Sequence, residues 1–176
     1  ILQLARSEAA LMQARRMADA RLSRLGTWLI VLAFVQILLG ALVAGIDAGR
    51  GFPDWPLMAG GFFPPQPFDL VPLWRNFFED PGLVQFMHRM AGYILFGFGI
   101  YVWARARKNG NGRTRFAFNM MLAVMVLQVV LGIVTVIYSA PAHIAIIHQL
   151  GAVVLWVVIL RARFLAGHPH PQSIRG

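Results

Sequence analysis

Apolar residues along this chain gather into four blocks, roughly 26–46, 83–104, 116–138 and 143–160, separated by stretches rich in charge, glycine or proline. A block of about 20 residues crosses a hydrocarbon core as a helix rising about 1.5 Å per residue. The first three blocks meet that length outright, and the fourth meets it with its flanks. The pattern predicts an all-α integral membrane protein, with a four-helix transmembrane bundle over residues 26–160. Residues 1–25 form a basic lead-in with apolar residues at helical spacing, and residues 161–176 a polar tail. The link over residues 47–82 is long for a connector and rich in Gly, Pro, Phe and Trp. Loops of this length are as a rule functional or disordered. Its aromatics favour packing on the bundle or the membrane surface, and a lid over a site is the other reading.

Charge placement gives the blocks a direction. Of 16 Lys and Arg residues, Arg6, Arg15, Arg16, Arg21 and Arg24 precede the first block. Arg105, Arg107, Lys108, Arg113 and Arg115 lie between the second and third, and Arg161, Arg163 and Arg175 follow the fourth. If the blocks alternate across a membrane, these share one face; the other has Arg50 and Arg75, and Arg89 lies inside a block. This is the positive-inside pattern. It puts both termini on the cytoplasmic (or matrix) side of a bacterial or mitochondrial inner membrane and the 47–82 loop outside. The net charge of +9 is thus accounted for by topology, not by nucleic acid.

The blocks also repeat. Gln36-Ile-Leu-Leu-Gly40 in the first matches Gln128-Val-Val-Leu-Gly132 in the third. His88 followed by Ala91-Gly92 in the second matches His148 followed by Gly151-Ala152 in the fourth. Blocks one and three run the same way, so the helix pairs are parallel repeats about an axis along the membrane normal.

His88 and His148 are the candidate chemistry. A histidine inside an apolar span costs free energy and marks a functional site by default. Each stands about five residues, or about 8 Å, from the loop-side end of its block. At matching depth on different helices, the two can clamp one metal, each imidazole in its neutral form. With no cysteine in the chain, thiolate sites and covalent haem attachment are excluded, and bis-histidine haem ligation is the first candidate. Helix-to-helix hydrogen bonding is the alternative. Gly92 and Gly151, with Ala91 and Ala152, give bare surface of the kind a flat macrocycle needs, or simply close helix packing. Gly40 and Gly132 offer similar clearance. Arg89 would be offset by an anion such as a haem propionate, or it snorkels to the interface. Gln36 and Gln128 bridge helices or line the site. His143 points about 140° away from His148 and is left out. Every carboxylate from Asp47 to Asp80 belongs to the loop or its ends, and no nucleophile–base pair or phosphate loop is present. No catalytic residue is assigned.

Taken together, LGALVAGIDAGRGFPDWPLMAG, LWRNFFEDPGLVQFMHRMAGY, LQVVLGIVTVIYSAP and IAIIHQLGAVVLW resemble the haem A synthase family. The order AGxDAG, WPLM, NxFE, VQFxHR and HQ covers most of residues 35–160. One departure stands in the loop: Phe52-Pro53-Asp54 replaces an aromatic-Asn-Thr run. The resemblance implies oxidation of the haem O ring methyl to a formyl, giving haem A for haem–copper oxidases. It implies eight spans in two four-helix halves, of which this chain looks like the second. His88 and His148 are then axial ligands of a b-type haem, and the substrate haem O is received by the N-terminal half of the same protein. Haem O synthase and cytochrome oxidase assembly factors are the implied partners besides membrane lipid. Two other readings stand beside this one: a four-helix membrane cytochrome b that only carries electrons, and a structural or transport subunit without haem.

Overall fold

The computed structural model describes residues 7–12 and 18–169. Arg6, Arg15, Arg16, Arg175 and His170, in the expected lead-in and tail, lie outside the described residues. Four helices of 26 residues each account for most of the rest: α1 (Ala20–Gly45), α2 (Pro81–Ala106), α3 (Gly112–Ile137) and α4 (Ala142–Gly167). Each is about 39 Å long at 1.5 Å per residue. Among the described residues there is no strand, only one isolated bridge between Met58 and Gly61.

The helices reach past the expected blocks where a cap is available. The Asp19 carboxylate accepts from Leu22 N at 2.8 Å and starts α1 at Ala20, inside the lead-in. Asp80 does the same for α2, accepting from Leu83 N at 2.6 Å, with Pro81 at the first helical position. This satisfies first-turn N–H groups that have no helical partner. Asn111 caps α3 through Arg113 N and Thr114 N. The helix α4 starts on Pro141 without a side-chain cap and runs on to Gly167, carrying Arg161 and Arg163 into the last turns.

Three of the four, α1, α3 and α4, are long and apolar enough to cross a membrane. The chain is a multi-pass membrane protein. Its lipid-type surface is plain in the exposed side chains Val31, Phe34, Val35 and Leu38 of α1, Val126, Leu127 and Val130 of α3, and Leu150, Val153 and Val157 of α4. A water-soluble domain does not leave so much contiguous apolar surface uncovered. The helix α2 falls short of that apolarity, since it carries Gln85, His88 and Arg89 in its first half.

The helices pack in a ring, α1 on α2, α2 on α3, α3 on α4 and α4 back on α1. The buried core occupies one end only: Leu22, Leu29 and Ala33 of α1, Leu95 and Val102 of α2, Phe118, Met121 and Met125 of α3, Leu155 and Ile159 of α4. Polar bonds tie this end: Thr114 Oγ1 donates to Leu165 O at 3.1 Å and Asp19 N to Ala166 O at 2.9 Å. Gly26 lets α1 approach Arg163 of α4 so closely that a Cβ would stand 2.8 Å from the Arg163 Cβ.

The opposite end carries the long loop. Residues 46–80 fold back onto the start of α2, as expected of a packed loop. Phe62 and Phe63 stand edge-on to Phe86 of α2, with ring centroids 5.8 and 4.8 Å away. Met58 is buried by a tight turn in which Ala59 and Gly60 both have positive φ. Asn76 is the loop's internal knot: it is fully buried, donates to Leu70 O and Leu73 O, and accepts from Leu70 N, all at 2.9 Å. Beside it, the Arg75 guanidinium hydrogen-bonds Glu79 and holds that carboxyl below the usual carboxylate range. The pair is exposed and adds little stability.

Replacing Asn76 by Ala removes three hydrogen bonds and leaves buried main-chain groups unpaired, a cost of about 2–4 kcal/mol. The expected result is faster proteolytic cleavage within residues 60–80 with the four helices intact by circular dichroism.

Candidate functional site

At the loop end the helix interiors do not meet. The inward positions there are small, Gly40, Ala41 and Ala44 on α1, Gly92 on α2, Gly132 on α3, Ala145 and Ala152 on α4, and they surround a cavity of about 750 Å³. Leu95, Met125 and Leu155 belong both to the core and to the cavity wall, so they form its floor. His88 and His148 both line it.

Each histidine is seated by the neighbouring helix in the same way. A Cβ on Gly40 would stand 3.1 Å from His88 Cε1, and one on Gly132 would stand 3.2 Å from His148 Cε1. One turn away, the Gln36 carboxamide lies over Gly92, where a Cβ would be 3.2 Å from its Nε2. Gln128 lies over Gly151, where a Cβ would overlap its Nε2 outright. Gln36 Nε2 donates to the main-chain oxygen of His88 at 3.1 Å and stands 3.2 Å from its Nδ1 and 3.3 Å from its Nε2. Among the described residues, five buried polar atoms on cavity-lining side chains have no partner: Gln36 Oε1, Gln85 Oε1, Arg89 Nε, Gln128 Oε1 and His148 Nδ1.

Arg89 is buried (8% exposed) and turned toward the loop. Its Nη1 donates to Leu57 O at 2.9 Å, and its Nη2 donates to Phe52 O at 2.9 Å and Asp54 O at 3.0 Å. Gln85, one helical turn earlier, donates to the same Phe52 oxygen at 3.2 Å. Trp55 Nε1 donates to Tyr93 Oη at 3.0 Å, and both rings line the cavity. The residue after the histidine thus fastens the loop over the cavity's open end. Both terminal nitrogens of the guanidinium are met by carbonyl dipoles, while its Nε is buried without a hydrogen-bond partner.

The COX15-CtaA family, described as cytochrome oxidase assembly protein, matches residues 1–160. The chain belongs to this family. Among its relatives, the heme A synthase of Ruegeria pomeroyi is 62% identical over 176 residues, covering all of this chain and 46% of the relative. The heme A synthase of Roseobacter denitrificans is 59% identical over 176 residues, covering all of this chain and 46% of the relative. That of Paracoccus denitrificans is 52% identical with the same coverage. The chain spans about half the length of the curated relatives it matches, their C-terminal half. No solved structure matches it.

Within this COX15-CtaA chain the tertiary arrangement brings together His88, His148, Arg89 and Gly92, all on the cavity wall. Gly151 is placed elsewhere: Gln128 covers it, so its bare surface accommodates a side chain instead of the cavity. His143 is exposed and away from the cavity. Sequence reasoning missed Gln85, Trp55 and Tyr93. Spacing gave a signal for two of them, since Gln85, Arg89 and Tyr93 follow at four-residue steps along one stripe of α2. Trp55 had none, because a loop has no period. Among the described residues no cluster of three or more His, Cys, Asp or Glu side chains is present.

Arg89→Met keeps the bulk and removes the clamp. Three loop carbonyls lose a charged donor, at a cost of about 3 kcal/mol. Amide hydrogen exchange is expected to rise by about 100-fold across residues 52–60 and to stay unchanged over residues 95–106. Equal protection in both proteins would show that the clamp does not hold the loop.

Proposed function

We propose that this chain is the haem-holding C-terminal half of a haem A synthase, with His88 and His148 as the two axial ligands of one b-type haem. The whole protein oxidises the ring methyl of haem O to the formyl of haem A for cytochrome oxidase, with the N-terminal half receiving haem O. The observation that carries this reading is the shared cavity, in which two histidines from separate helix pairs are each seated against a glycine at the same end of the bundle.

The residues fit that group. A bare metal ion such as zinc takes three or four protein ligands, and among the described residues no cluster of three or more His, Cys, Asp or Glu side chains offers them; a macrocycle would supply four donors of its own. A volume of about 750 Å³ lies within the roughly 300–1,000 Å³ of small-molecule and cofactor sites. The small residues Gly40, Gly92 and Gly132 leave bare wall beside both imidazoles. A haem bound there supplies one-electron iron chemistry whose potential the axial ligands and their hydrogen bonds set. The chain's own part is to hold and orient: the histidines ligate, α1 and α3 fix their helices, and the Arg89-clamped loop limits water.

In this reading α2 crosses the membrane with the other three. It has their length and packs between α1 and α3. The residues that lower its apolarity, Gln85, His88 and Arg89, face the cavity and the loop, so lipid does not meet them. The two helix pairs then form parallel repeats in an inner membrane, with termini on the cytoplasmic or matrix side. Haem O synthase is the class of partner that supplies the substrate, and assembly factors of cytochrome oxidase receive the product.

Purified protein is expected to bind one protohaem with a low-spin bis-histidine optical spectrum, and His88→Ala or His148→Ala to abolish it. Well-folded wild type that takes up no haem would overturn the proposal. A longer protein containing both halves, supplied with haem O, is expected to yield the formyl product; haem binding without that product favours the electron carrier.

A further inference from the structure

The two glutamines are held in place by more than helix packing requires. Each projects from one helix into a slot that only glycine leaves open on the histidine-bearing neighbour, Gln36 over Gly92 and Gln128 over Gly151. Each stands one turn from the glycine that seats the histidine ring, Gly40 or Gly132. The Gln36 carboxamide already grips His88 at its main-chain oxygen and beside both ring nitrogens, at 3.1 to 3.3 Å. In the other pair, Gln128 Oε1 and His148 Nδ1 are both buried and both unpartnered, although one is an acceptor and the other carries a proton in one neutral tautomer. Gln36 Oε1 is also buried without a partner. Unpaired buried polar atoms are costly, and matched ones on adjoining helices point to a bond made in another state of the site.

We infer that Gln36 and Gln128 are the positioning residues of the two histidines, each presenting its carboxamide oxygen to the Nδ1–H of the imidazole on the neighbouring helix when Nε2 takes a metal. This rests on the haem reading above. Metal-bound histidines almost always donate their second ring N–H to a fixed acceptor, which sets the tautomer and ring rotation and raises ligand basicity. A half-turn of the Gln36 carboxamide exchanges Nε2 for Oε1 at the ring and gives up the present bond from Nε2 to the His88 main-chain oxygen. Among the described residues no side-chain oxygen is hydrogen-bonded to either imidazole, so the acceptor place is open to the carboxamides. The glycine slots offer a separate route: a methyl at position 151 displaces Gln128, to which the three atoms nearest that methyl all belong.

The test uses the full chain purified in detergent and titrated with hemin, comparing wild type with Gln36→Leu, Gln128→Leu, Gly151→Ala and the isosteric Gln36→Glu and Gln128→Glu. Helical circular dichroism and thermal unfolding check the fold, and the readouts are hemin affinity, reduction potential and the low-spin electron paramagnetic resonance spectrum. Each Leu variant is expected to bind hemin about 10–100-fold more weakly, with a raised potential and shifted g-values, since the ligand becomes less basic. Gly151→Ala should reproduce Gln128→Leu. The Glu variants keep an acceptor, so they should retain affinity and lower the potential. If the Leu variants fail to fold, Gly151→Ala and the Glu variants decide alone. Wild-type hemin binding with unchanged affinity, potential and spectrum across the variants would overturn this inference and leave the haem reading standing. Absence of hemin binding in wild type would overturn both.

Discussion

Everything at the loop end depends on the bundle being packed at its other end only. Leu29, Phe118, Met121, Met125 and Ile159 fill the space between the helices over about half their length. Beyond Leu95, Met125 and Leu155, Gly and Ala recur among the positions that line the interior, and it opens into the cavity. Helices of equal length anchored at one end by close packing hold their far ends at fixed separation, so a cavity persists there without a core to fill it. Lipid on the outside gives no reason for the open end to collapse, because hydrocarbon solvates the exposed Val, Leu and Phe side chains as well as a core would.

The same cavity explains where the polar residues went. In a membrane, a glutamine, arginine or histidine must find a partner inside the protein. Gln36 finds the main chain and ring of His88; Gln85 and Arg89 find the loop carbonyls of Phe52, Asp54 and Leu57. The second helix is therefore shared between two tasks along adjoining stripes, one presenting an imidazole to the cavity and the next fastening the cover. That coupling places the loop and the histidine on one rigid element, so that displacing either moves the other.

Much of the bundle was legible from hydrophobic pattern alone. Blocks of about 20 apolar residues have few alternatives to helix in lipid, and Gln36, Gly40, His88, Gln128, Gly132 and His148, all singled out from sequence, line one cavity. Boundaries were less legible, because capping by Asp19 and the run of α4 through Arg161 and Arg163 depend on single side chains outside the apolar blocks. The second helix was read as a span on the same footing as the others; its apolarity falls short of theirs, although it packs on α1 and α3. The loop contacts of Arg89 were not foreseen. Its carbonyl partners are 32 to 37 residues away in an aperiodic loop, which no spacing rule reaches.

The sequence by itself determined the helical class, the membrane habit and the two histidines at one depth, because length, apolarity and helical period are local properties. It also marked Gly40, Gly92, Gly132 and Gly151 as bare positions. Only the tertiary structure decided what fills each of them. Two glycines seat histidine rings and two receive glutamine carboxamides, because the partner in every case sits on a different helix, and the rotation of one helix against another is fixed by packing at the far end of the bundle.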